Sequence, residues 1–114
     1  MEPHWASVEL RSDLDYEKAW ASCIDLLIKR FDMEMLSKED GYARTCWLYT
    51  WTGQPTQSYR VRVTLKFTPD KKVIQVKCEA EWRDPSGNWT GGYDSRLVET
   101  LKTDLMGSLG RTTR

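Results

Sequence analysis

The sequence predicts an α+β fold in the order α-β-β-β-β-α, a four-stranded antiparallel meander with both helices packed on one face as a two-layer sandwich. Three observations lead there. Residues 59–67 and 74–82 alternate strictly between apolar and polar side chains, the period of a half-buried strand. Apolar residues recur at three- and four-residue steps near both ends of the chain, the period of a helix with one buried face. Short turns join the middle segments, which favours neighbouring antiparallel strands over crossovers.

Residues 1–12 lack periodicity and read as a flexible lead-in, with Trp5 as a point of attachment. From residue 14 to residue 31, Tyr16, Ala19, Trp20, Cys23, Ile24, Leu27 and Phe31 form one helical face. Asp13 is placed as its N-cap, with Asp15 and Glu17 in the first turn facing the helix dipole. Met33 to Ser37 is a short strand, and Glu39-Asp40-Gly41 turns into a longer one, Tyr42 to Trp51. Its alternation assigns Ala43, Thr45, Trp47, Tyr49 and Trp51 to one side. A loop at 52–56 leads to the strand Tyr59 to Phe67. Pro69-Asp70-Lys71-Lys72 makes the next hairpin, and Ile74 to Trp82 returns. As the last strand of the meander, 73–83 is placed at a sheet edge. Residues 84–93 read as a loop. Asp94 caps a second helix striped by Leu97, Val98, Leu101, Leu105 and Leu109. One domain therefore spans 13–110, followed by a polar tail at 111–114. The expected core is Trp20, Leu27, Trp47, Val61, Val63, Leu65, Val76, Leu101 and Leu105.

The 114 residues are 39% hydrophobic and 30% charged, which excludes a disordered chain and a membrane span. Seventeen basic residues balance seventeen acidic ones, so electrostatic binding must come from a local patch. Cys23, Cys46 and Cys78 have neither zinc-ligand spacing nor an even count, so no metal site and no disulfide is expected. The sole histidine is His4 in the lead-in, a poor position for a general base. Glycine-rich phosphate loops, nucleophile elbows and metal-binding helix motifs are absent. The expectation is a non-enzyme without cofactors. Asn88-Trp89-Thr90 matches a glycosylation acceptor, which matters only in a secreted eukaryotic protein.

Two features bear on binding. Six tryptophans stand out. Trp20, Trp47 and Trp82 occupy inward positions, whereas Trp51 and Trp89 lie at loops where an aromatic anchor would sit. On the polar sheet face, Arg44, Arg60, Arg62, Lys66 and Lys77 point the same way, with Glu79 and Glu81 among them. With Trp89 they form the candidate interaction surface.

The pattern resembles small bacterial lipoprotein domains of the BamC-like, helix-grip type. The residues that carry the likeness are Tyr16-Glu17-Lys18-Ala19-Trp20, Gly41-Tyr42-Ala43-Arg44-Thr45-Cys46-Trp47, Tyr59-Arg60-Val61-Arg62-Val63, and the closing helix with Leu97, Leu101 and Leu105. The resemblance implies an envelope protein that works through protein contacts, in the periplasm or at the outer membrane, with the cytoplasm as the alternative. A lipid anchor is expected only if the precursor carries an upstream lipobox. The functional expectation is a non-catalytic interaction or scaffold domain. The alternatives are a carrier of small hydrophobic ligands with a cavity between sheet and helices, and a single-stranded nucleic-acid binder using the basic face.

Overall fold

The computed structural model describes residues 5–49 and 58–110. His4, Trp51, the 52–56 loop and the 111–114 tail fall outside them. The chain is α+β, with an antiparallel sheet and two helices. Its elements are β1 (Ala6–Glu9), α1 (Tyr16–Ile28), β2 (Met33–Ser37), β3 (Tyr42–Thr45), β4 (Tyr59–Phe67), β5 (Val73–Arg83), β6 (Trp89–Tyr93) and α2 (Ser95–Leu109).

The sheet has six strands rather than the four expected, and a strand precedes the first helix. The path is β1-β5-β4-β3-β2, with β6 also on β5. Both additions lie in segments that the sequence left irregular. β1 is only four residues long, too short to show a period, and its inward residues are Ala6 and Val8. β6 contains Gly91 and Gly92, which read locally as loop. Pairing with an already formed strand supplies what local propensity does not.

These two strands overturn the edge assignment of 73–83. β5 pairs with β4 from Tyr59↔Trp82 to Phe67↔Ile74 on one side. Its other side is taken by β1 against Val73 to Val76 and by β6 against Glu79 to Arg83. The strand is central, so strand addition along it is excluded. Among the described residues, β2 forms one edge of the sheet, and β1 and β6 form the other.

Helix α1 starts later than predicted. Asp15, not Asp13, is the cap, accepting from the Lys18 N–H at 2.8 Å. The second cap falls where expected, with Asp94 accepting from the Leu97 N–H at 2.9 Å. Ala19, Trp20, Cys23 and Leu27 of α1 and Leu97, Leu101, Leu105 and Leu109 of α2 share one core with Val61, Val63, Leu65, Phe67, Ile74, Val76, Cys78 and Ala80 of the sheet. Gly41 takes φ 67° at the β2–β3 turn, and a Cβ there would stand 3.0 Å from the Phe67 Cβ. Both constraints favour glycine.

The longer strand predicted over 42–51 breaks at a bulge. Tyr42↔Lys66, Ala43↔Leu65 and Arg44↔Thr64 share one register, but Leu48 pairs with Val61. Three residues (45–47) thus oppose two (62–63). One extra residue exchanges the faces of everything that follows. Leu48 turns toward the core, and Trp47, expected there, passes to the opposite face. Within the bulge, the buried Thr45 hydroxyl accepts from the Val63 N–H at 2.9 Å. Trp82 also departs from expectation: it is exposed, its ring packs on Tyr59, and it occupies the space where a Gly92 side chain would project.

The three cysteines are free thiols, Cys23 and Cys78 buried and Cys46 partly so. Burial raises the Cys23 pKa from its ordinary 9.0 to about 12. Cys78 is pushed up too, by burial first and then by the charge of Asp94. Below the ordinary value both states hold the thiol proton, so these groups leave stability independent of pH. Above it the unfolded chain ionises first, and stability falls as pH rises. The expected result is a urea midpoint that declines between about pH 9 and pH 11, with a shallower slope in Cys23→Ala and Cys78→Ala. An identical slope in both variants would exclude the thiols as its source.

Candidate interaction face

The sheet face away from the helices is built by the alternate residues of β4 and β5. Arg60 stands directly opposite Glu81 and Arg62 directly opposite Glu79. Directly opposed residues on one face lie close enough for side-chain contact, and both couples are ion pairs: Arg60 Nε donates to Glu81 Oε1 at 2.8 Å, and Arg62 Nη2 to Glu79 Oε2 at 3.0 Å. Arg44 is held in the same manner by Glu34, at 2.8 Å. Desolvation at the sheet surface acts to lower the Arg60 pKa. Hydrogen bonds to Tyr49 and Glu81 outweigh it, and the net direction is upward.

Aromatic rings overlie these cations. The Arg60 guanidinium is 4.4 Å from the Trp47 ring centroid and 4.1 Å from that of Trp89. Arg62 also reaches Trp47, at 4.4 Å, and Arg83 reaches Trp89, at 4.7 Å. Farther along the sheet, Lys66 and Lys77 approach the Trp5 ring to 4.4 Å and 4.8 Å. Each such contact contributes on the order of 0.5–1 kcal/mol at a wet surface and more when desolvated. Tyr49 joins the layer, accepting from Arg60 Nη1 at 3.2 Å and lying edge-on to Trp89.

All six residues of the candidate surface fall on this one face. Their states differ. Arg44, Arg60 and Arg62 are neutralised by carboxylates, and Trp89 lies over Arg60 and Arg83 rather than standing as a free anchor at a strand exit. Lys66 and Lys77 make no ion pair among the described residues. Trp5, Trp47 and Tyr49 were not assigned to this surface from sequence. Trp5 belongs to the segment read as a lead-in, and the bulge reverses the parity that would have placed Trp47.

No protein-family model matches the sequence, and no curated protein matches it.

Among the described residues, no group of three or more histidine, cysteine, aspartate or glutamate side chains is placed to hold a metal ion. None of their helices is long and apolar enough to cross a membrane. A cleft of about 680 Å³ lies where β1 runs on toward α1, beside the β4–β5 hairpin, with Arg11, Tyr16, Asp70, Lys71 and Lys72 in its walls. It is not the cavity between sheet and helices that the carrier alternative requires.

Proposed function

We propose that the chain is a non-catalytic interaction domain of a bacterial envelope-associated protein, docking an acidic protein partner on the outer sheet face. The observation that carries this reading is the layer of tryptophan rings and cations over that face, ending in Lys66 and Lys77, which no carboxylate among the described residues neutralises. Tryptophan and arginine are the side chains most often central to protein docking sites, and unneutralised lysines steer an acidic partner. The envelope setting rests on the resemblance carried by the first helix, the Gly41–Trp47 and Tyr59–Val63 segments and the closing helix. A nucleic-acid reading is favoured less. It needs free cations for phosphates and open rings for bases, whereas Arg60 and Arg62 are ion-paired and Trp47 and Trp89 already have guanidinium groups on them.

Site-specific photo-crosslinking in living cells tests this. A photo-reactive residue at Lys77 is expected to capture a discrete protein adduct. The same residue at Lys29, the exposed C-cap of α1, is expected to capture none. Equal labelling from both positions, or none from Lys77, would overturn the reading.

A further inference from the structure

The second side of β5 is covered in two pieces. β1 ends at Ala6↔Val76 and β6 at Glu79↔Tyr93, so Lys77 and Cys78 lie at a break between two strand ends. The chain crosses the break at Asp94, whose N–H points to the Cys78 carbonyl at 3.4 Å. Beside the break is a notch of about 220 Å³ lined by Trp5, Ala6, Tyr93, Ser95, Val98 and Glu99. Its walls are mostly apolar, and its size is below the roughly 300–1,000 Å³ of a small-molecule site. A single large side chain suits that space. Trp5 forms one wall, and its ring also meets the ammonium groups of Lys66 and Lys77 on the outer sheet face, while Glu99 makes the helix side of the notch acidic.

We propose that this notch is the anchor pocket of the docking face, and that it takes one bulky apolar side chain from an extended acidic segment of a partner protein. This rests on the reading of the outer face as a protein-docking surface. The anchor enters between Trp5 and Tyr93. Flanking aspartate or glutamate residues lie toward Lys66 and Lys77, and Glu99 repels them from the helix side, which sets the direction of the segment. An apolar anchor ringed by charge combines a desolvated contact with long-range steering.

The probe is a fluorescein-labelled nonapeptide with a central phenylalanine flanked on each side by four aspartates, titrated into the full chain by fluorescence anisotropy. Saturable binding that weakens with salt is expected. Replacing the phenylalanine by alanine should weaken it roughly tenfold or more. So should Ser95→Tyr, which fills the notch from an exposed position, and Lys66→Glu with Lys77→Glu. Circular dichroism and melting establish that each variant folds. Three results would overturn the proposal. One is an absence of saturation up to about 1 mM peptide. Another is an affinity indifferent to both the phenylalanine and Ser95→Tyr. The third is loss on lysine reversal alone, which would mean that acidic segments dock without an anchor. If Lys77 still crosslinks a partner in cells, any of these outcomes removes the notch and leaves the docking face standing.

Discussion

Leu101→Ala is expected to cost about 2–5 kcal/mol of stability, the range for emptying a leucine site in a packed core. Leu101 is in the middle of the α2 stripe, four residues from both Leu97 and Leu105, and only 1% of its surface is exposed. Leu97 and Leu105 are equally buried, so neither is free to swing into the vacated space. Removing it therefore loses the transfer energy and leaves a cavity. Helix propensity does not confuse the result, because alanine is the better helix former. Urea unfolding at constant pH measures the effect. A loss below about 1 kcal/mol would mean that α2 does not depend on this contact with the sheet.

Thr45→Val is expected to cost about 1–3 kcal/mol, although the two side chains have nearly the same shape. Thr45 is fully buried, and its hydroxyl is the acceptor for the Val63 N–H. In a regular ladder that N–H would meet a backbone carbonyl. The bulge between Arg44 and Leu48 moves the carbonyl out of register, and the hydroxyl takes its place. Valine leaves the donor buried and unpaired, where the full desolvation penalty applies. Thr45→Ser keeps the acceptor and loses one methyl group, so it should cost only about 1 kcal/mol. Amide exchange at Val63 supplies an independent readout, with protection falling more in the valine variant than in the serine variant. Equal stability of the Thr45→Val variant and the wild-type protein would show that the hydroxyl has no such role.

What could be read from the sequence follows from where the information is stored. Alternation in β4 and β5 and the leucine stripe of α2 are local patterns, repeated often enough that one residue's preference does not decide them. Their inward rows, Val61 to Phe67 and Ile74 to Ala80, are the buried rows of the structure. Asp94 was legible as a cap because capping is a contact three residues long. The five basic candidates were legible as one face for the same reason: the period of two puts alternate residues on one side. Trp89 joins them only because β6, read locally as loop, pairs with β5.

Other features were decided at a distance. β1 and β6 are strands because β5 offers them hydrogen-bonding partners, and no local signal in Ala6–Glu9 or in a segment with two glycines announces that. Their docking makes β5 central and creates the break that the notch adjoins. The bulge at 45–47 is a mismatch between two strands and exists only when both are paired. It turned Trp47 from an expected core residue into the ring that overlies Arg60 and Arg62. By itself, then, the sequence determined the elements with repeated local periods and the face that carries the charges. The tertiary structure decided which strand is central, which tryptophans reach that face and which of its arginines are ion-paired. Each of those depends on a partner far away in the chain, and local periodicity carries no record of pairing.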